Sequence, residues 1–351
     1  MNVRNVSTMG MGLLSRQSIS DTQKQLLVLQ QEQATGKHFD VAGKLGAQIS
    51  RDILLRESYN EAQSYLLNNK TLSSRIEVTQ HAFSNLTSNG NDFVTKIVAA
   101  LSGETAAGFM PSAAADLIEN IESALNASFG GRSLFSGTVI DVQPLQLSHL
   151  THPVTGYSPM EVIQHVIAAK PPVTDAASLA NLLSGPDGIA SVFDSTHSDG
   201  DYHFGATFYN GNDQDIAAKI DASTDVPGGA RANEEGVRLM LRAAYTLAAI
   251  DPDSMPAGQY RQVLDAAMAD IQAGMFKIQQ KQAILGLSEQ SIERTNERHS
   301  LMSDLMAKQI TALEEVDPYE TAVRLSHVMT QIESTFSITA RINKLSIINF
   351  L

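Results

Sequence analysis

The stretch LDAAMADIQAGMFKIQQKQAILGLSEQSIERTNERHSLMSDLMAKQITALEEV, residues 264–316, decides the architecture of this chain. Within it Leu264, Ala267, Ile271, Gly274, Ile278, Lys281, Leu285, Ser288, Ile292, Thr295, His299, Met302, Met306, Gln309, Leu313 and Val316 recur at steps of three and four. On an α-helix such steps return to one side, so the segment predicts a single long helix with a continuous stripe. At ~1.5 Å per residue it would run roughly 80 Å, far beyond the ordinary globular length. One such stripe cannot bury itself.

A second stripe supplies the partner. Leu55, Ser58, Ala62, Tyr65, Asn69, Leu72, Ile76, Thr79, Phe83, Leu86, Gly90, Phe93, Ile97 and Ala100 hold the same alternation, loosened by polar members. Antiparallel pairing of the two predicts a long helical rod or coiled coil. Before the longer helix, AAIDPDSMPAGQ (248–259) carries two prolines and reads as a turn between helices.

Each end of the chain adds a further amphipathic segment. Asp317-Pro318-Tyr319-Glu320 is a helix start, with Asp as the cap and Pro at the first helical position. Leu325, Val328, Ile332, Thr335, Thr339, Ile342 and Leu345 follow it as a seam. At the other end Ile19, Leu26 and Leu29, flanked by Leu13 and Leu14, form a shorter stripe that stops near Gly36. Helices of this kind gain too little when alone. A single molecule satisfies all four stripes only by bringing its ends together; otherwise neighbouring copies must cover them.

The middle differs. Prolines and glycines concentrate from about 137 to 230, with short helical patterns at 160–169 and 176–183. Residues 201–209 are rich in aromatic, β-favouring types, and Asn210-Gly211 follows as a type I′ hairpin signal. The fold class expected is mainly α: a rod formed by the N- and C-terminal regions, carrying a small inserted α/β domain. The expected division is 1–45 with 310–351 as terminal coiled-coil helices, 46–137 with 231–309 as the rod, and 138–230 as the insertion.

Composition narrows the chemistry. The chain has 351 residues, 25 Lys and Arg against 38 Asp and Glu, and a net charge of -13. That balance argues against nucleic acid as a partner, because phosphate binding needs a basic surface. There is no cysteine, which removes disulfides, thiolate metal sites and cysteine nucleophiles. No apolar run approaches the ~20 residues that cross a bilayer, so membrane insertion is not expected. The opening MNVRNVSTMGMGLLSRQS lacks a continuous apolar core of the secretory type, so export would proceed without a cleaved signal peptide.

Catalytic motifs are missing, and neither an enzyme nor a cofactor is expected. Gly10-Met11-Gly12 lacks the third glycine and the strand of a dinucleotide fingerprint. The constellation to weigh is His197, Asp199, Asp201 and His203: strand alternation would put all four on one face, where they could ligate a divalent cation. Closed sites show tighter paired spacing, and a solvated loop leading into a hairpin is the competing reading. Asn212, Asp213 and Asp215 could add oxygen ligands or simply serve a turn. His299 on the long stripe reads as a seam residue.

With its particular joints, this organisation resembles the flagellin superfamily, and within it the hook-associated protein 3 family. Residues 331–351, QIESTFSITARINKLSIINFL, resemble the closing helix of that family, and Asp317–Ala322 its entry. Gly131, Arg132, Leu134, Phe135, Gly137 and Thr138, in the run GRSLFSGT, resemble the exit from the first helical half into the insertion. Thr35-Gly36-Lys37 resembles the end of the first helix, whereas HFDVAGKLGAQIS (38–50) replaces the family's common Asp-Asp-Pro turn. The resemblance implies an exported structural subunit of the hook–filament junction. Its partners would be hook-associated protein 1, flagellin, further copies of itself in a ring, and a flagellar export chaperone. Filament flagellin is the alternative within the superfamily; a metal-binding or enzymatic middle domain and a coiled-coil scaffold are the alternatives outside it.

Overall fold

The computed structural model describes residues 8–103 and 107–348; the side chains of residues 1–12 and 342–351, the seam positions Ile342 and Leu345 among them, lie outside those described. In chain order the elements are α1 (Thr8–Thr35), α2 (Val41–Leu45), α3 (Ile49–Ser102), α4 (Met110–Leu125), β1 (Ser128–Phe129), β2 (Arg132–Ser133), α5 (Pro159–Ala168), α6 (Ala176–Ser184), α7 (Ile189–Phe193), β3 (Ala217–Lys219), β4 (Asp225–Pro227), α8 (Glu235–Ala249), α9 (Ala257–Glu314) and α10 (Pro318–Ile348). The fold is mainly α. Two compact units emerge: residues up to 64 with those from 299 onward, and residues 65–298.

In the larger unit the two predicted stripes face each other. Asn69 Nδ2 donates to Asn296 Oδ1 at 2.8 Å, Gln80 Nε2 to Glu289 Oε2 at 3.2 Å, and Gln282 Nε2 to Ser84 Oγ at 3.1 Å. Partner numbers fall along α9 as they rise along α3, which is antiparallel pairing. The seam between these contacts is buried: Ile76, Phe83, Leu86, Phe93 and Ile97 on α3, and Leu264, Ile271, Ile278, Leu285 and Ile292 on α9. The polar lapses are accommodated locally, as where Thr79 Oγ1 returns to the Arg75 carbonyl at 2.9 Å. At Gly236 and Gly274 the backbones of α8 and α9 meet so closely that a Cβ on either glycine would stand 2.7 Å from the other's carbonyl oxygen. Bulk at these positions would force the helices apart.

The insertion shares this core. Phe193 and Phe204 lie in ring contact with each other, and Phe208 packs 5.4 Å from both Phe193 and Tyr245 of α8. α5 starts with a capping box between Ser158 and Glu161, behind Pro159, and α6 with one between Asp175 and Ser178. Both helices stand where the sequence places them.

The aromatic run does not. Residues 200–202 form a 3₁₀ turn and Phe204–Phe208 a π-helical turn, so no hairpin is built at 201–212. Neither Asn210 nor Gly211 takes the positive φ that a type I′ turn requires. Tyr209 makes one isolated bridge to Leu145. Burial of Phe204 and Phe208 beside Phe193 and Tyr245 outweighs the β preference of aromatic residues, which is largely a preference for half-buried surface. The antiparallel hairpins lie elsewhere, at β1–β2 and β3–β4.

Candidate assembly site

The smaller unit is assembled from both chain ends, and its joint is backbone. α1 stops at Gly36, whose φ of +70° is the left-handed closure that glycine tolerates. Its N–H returns to the Glu32 carbonyl at 2.8 Å. The chain is then stitched to the link between α9 and α10: Val316 N–H donates to the Gly36 carbonyl at 3.0 Å and His38 N–H to the Glu314 carbonyl at 2.9 Å. Asp317 caps the next helix through the N–H groups of Tyr319 (2.8 Å) and Glu320 (3.2 Å), as its sequence predicts.

From this joint α1 and α10 run antiparallel, and at the far end Ser15 Oγ and Thr339 Oγ1 lie 2.9 Å apart. The ends of the chain thus meet within one molecule. Ile19, Leu26 and Leu29 on α1 and Leu325, Val328 and Ile332 on α10 line the seam but are only half-buried; the buried members are Thr22 and Thr321. Other large apolar side chains stay outside: Leu14 and Leu27 on α1, and Tyr319, Val323, Phe336 and Ile338 on α10, each at least 50% exposed. Covering such a side chain contributes about 1–2 kcal/mol. The arrangement is a hairpin with a partly covered seam and further apolar side chains exposed around it.

A charged clip fastens the joint. The Glu314 carboxylate, 1% exposed, accepts Lys37 Nζ at 2.9 Å and also pairs with Arg56. Arg56 Nε in turn holds the buried Asp52 at 3.0 Å. Three segments therefore converge on one buried acid. Sequence reasoning missed it, because a charged residue beside a seam reads as solvated surface; the signal was Lys37 following the helix-ending glycine. It also placed Met302 on the seam. The structure exposes Met302 and buries Ser303, where Gln63 Nε2 donates to its hydroxyl at 2.6 Å, so the stripe advances by four after His299.

In the larger unit the run Gly131–Thr138 acts as a lock. Gly130 and Gly131, at φ +59° and +76°, form the two-residue turn between β1 and β2. Arg132 stays exposed, whereas Leu134 and Phe135 are buried, with Phe135 packed 5.6 Å from Phe83. Gly137 has φ +74°, and a Cβ there would fall 2.6 Å from the Asn212 carbonyl oxygen. Thr138 N–H donates to Asn212 Oδ1 at 3.0 Å, and Asn212 Nδ2 donates to Thr138 Oγ1 at 2.7 Å. Asn212 is thus a structural staple. Asp213 and Asp215 are engaged by Arg231, at 3.5 and 3.1 Å, rather than gathered around a cation.

The four metal candidates are not arrayed on one face, because their backbone turns instead of extending. His197 Nδ1 accepts the Asp199 N–H at 3.0 Å, Asp199 Oδ1 accepts the Asp201 N–H at 3.0 Å, and His203 Nε2 donates to the His197 carbonyl at 2.9 Å. Among the described residues no group of three or more His, Asp or Glu is placed to hold a metal ion. Glu122 and Asp221 are among the other carboxyls that are perturbed. Burial pushes Glu122 above the ordinary range, opposed by the Ser148 N–H and the Tyr245 hydroxyl. Asp221 is held at about 2, chiefly by the Ser223 N–H.

Long helices drawn from both chain ends and joined at a charged clip make up the smaller unit. Residues 6–139 match the family described as the bacterial flagellin N-terminal helical region, and residues 268–351 the bacterial flagellin C-terminal helical region. Together the matches span more than half of the sequence, and the chain belongs to the flagellin superfamily. The first match ends just beyond the Gly131–Thr138 lock. A solved structure described as a candidate flagellar hook-associated protein from Vibrio parahaemolyticus is similar in fold, with a TM-score of 0.51 at 11% identity, covering 77% of this chain and 99% of that one. No curated protein matches by sequence. The chain is a structural subunit of the flagellum, outside the cell, that assembles with other flagellar components. Among the described residues no helix is long and apolar enough to cross a membrane.

Proposed function

We propose that the chain is the junction subunit between hook and filament, forming a ring against hook-associated protein 1 on one side and flagellin on the other. One observation carries the reading: the terminal hairpin covers its inner seam only in part and leaves Leu14, Leu27, Val323, Phe336 and Ile338 exposed, where neighbours could cover them. In this reading residues 1–45 and 310–351 are the assembly core and 138–230 face outward. The subunit leaves the cell through the flagellar export channel without a cleaved signal, with a chaperone covering α10 beforehand. The run GRSLFSGT (131–138) favours the junction over the filament.

Ile332→Asp tests the core. A carboxylate on the half-buried seam loses hydration without a partner, so incorporation should fail while the larger unit stays folded. Normal incorporation of that variant would remove the seam from the assembly contact. Antibody labelling of flagella tests the position: a band between hook and filament supports the junction, and label along the whole filament supports flagellin.

A further inference from the structure

Every exposed residue of α9 between Ile271 and Ile292 is uncharged: Phe276, Ile284, Leu287, two alanines and four glutamines. Phe276, Ile284 and Leu287 are 58%, 46% and 68% exposed. With Gln280 they recur at steps of four, four and three, which brings them to one side of the helix. The charged residues of the stretch turn to neighbouring helices instead. Lys277 Nζ reaches Glu235 at 2.9 Å and Lys281 Nζ reaches Glu234 at 2.7 Å, both at the start of α8. Glu289 accepts Gln80 Nε2 of α3 at 3.2 Å. Exposed charges resume at Asp265 before the stretch and at Glu293 beyond it.

The face is also symmetric in sequence. About the midpoint between Lys281 and Gln282, Phe276 is the counterpart of Leu287, Gln279 of Ile284 and Gln280 of Ala283. Two such faces laid antiparallel across a two-fold axis at that midpoint set Phe276 against Leu287 of the partner subunit, and the same contact occurs twice. Glutamine amides both donate and accept, so the face needs no complement of opposite sign. Self-complementarity of this kind is what a two-fold contact between identical chains demands.

We propose that two copies of this chain pair through these faces of α9, antiparallel and about a two-fold axis. Each copy carries a net charge of -13, and repulsion is least where neither approaching surface is charged. The paired length is roughly 30 Å. Such a contact falls at the small end of specific interfaces, below about 1,200 Å², so the dimer forms and parts with concentration. A two-fold contact is closed and does not extend into a ring or filament. The pairing is independent of the junction reading, because residues 272–291 lie outside the terminal segments assigned there to assembly.

Sedimentation equilibrium of the full-length protein should show monomer and dimer exchanging, with a dissociation constant on the order of tens of micromolar. Leu287→Glu alters an exposed side chain twice per dimer and should raise that constant about a hundredfold, with the melting of the larger unit unchanged. Val154→Glu adds the same charge at another exposed apolar residue and should pair as wild type does. Ile332→Asp should also pair normally; loss of pairing there, with Leu287→Glu unaffected, would move the contact to the terminal hairpin and overturn the α9 face. A wild type that stays monomeric at every soluble concentration overturns the second copy and leaves the face to a different flagellar component. The register is tested by cross-linking, since the chain has no cysteine of its own. A mixture of Phe276→Cys and Leu287→Cys should give a disulfide-linked pair on oxidation. Either variant alone should not, because its two thiols would stand ~16 Å apart along the helices, beyond disulfide reach. Cross-linking of Leu287→Cys with itself as readily as in the mixture overturns the antiparallel register.

Discussion

Arg56→Met should loosen the terminal hairpin more than any other single change at the clip. Arg56 is about half exposed, but the two carboxylates it serves, Asp52 and Glu314, are 4% and 1% exposed. Removing the guanidinium leaves two buried anions with Lys37 as the remaining cation, and Lys37 reaches Glu314 alone. Stranding a buried charge costs about 3–5 kcal/mol, whereas losing an exposed cation from a pair costs ~1 kcal/mol or less. The order expected is therefore Arg56→Met far above Lys37→Met, with Glu314→Gln between them, since it strands two cations that water can still reach. Hydrogen exchange resolved by segment is the assay, because opening of one unit need not appear in a global melt. Amides of residues 32–38 and 314–321 should exchange at least a hundredfold faster in Arg56→Met, while those of α4 and α8 hold their wild-type rates. The triple change Arg56→Met, Asp52→Asn, Glu314→Gln removes the stranded charges along with the pair and should recover most of the loss. If Lys37→Met equals Arg56→Met, or the triple variant is worse than the single one, the clip does not work by compensating buried acids.

Further outcomes concern the larger unit. Burial raises the pKa of Glu122, so its folded form binds a proton more tightly and stability falls as pH rises from its ordinary value of 4.5 through the raised one. Glu122→Gln keeps an acceptor for the Ser148 N–H, 2.7 Å away, and should flatten that slope in a melting-against-pH series while raising the melting point at neutral pH. Asp221 behaves oppositely. Its value of about 2 lies below the ordinary 3.8, so its contribution is complete above that range and is lost as acid is added from about pH 4 towards pH 2. Amides of β3 and β4 should show this acid step, and Asp221→Asn should abolish it. Gly137→Ala combines a left-handed φ with a 2.6 Å approach to the Asn212 carbonyl and should destabilise by about 2–3 kcal/mol in denaturant titration, against little change for Gly200→Ala, where nothing lies within 4 Å.

The long helices were readable because a 3–4 repeat sustained over fifty residues has few other interpretations, and local signals such as Asp317-Pro318 and Gly36 need no tertiary context. What escaped depends on distant partners. The aromatic run 201–209 satisfies a strand pattern in isolation; packing against Phe193, just before it, and Tyr245 of α8 accompanies its helical turns. Ser303 replaces Met302 because Gln63 is there to bond it, a choice invisible along α9 alone. Glu314 was passed over for the same reason: periodicity identifies apolar sides and assigns single charges to solvent. The sequence names the residues that lie between α1 and α10 and the Gly131–Thr138 run, while the charges that fasten the joint leave no mark in its periodicity.

The bond between Ser15 and Thr339 joins residues 324 positions apart, whereas the contacts tying α3 to α9 in the larger unit span 198 to 227. Closing a longer loop forfeits more chain entropy, and a seam of threonines and half-covered aliphatics returns little. The two extremities should accordingly come together last during maturation and separate first under stress. Their union then reports that everything between them has already found its place, and a subunit still unfinished in its interior offers neighbours no completed edge on which to build.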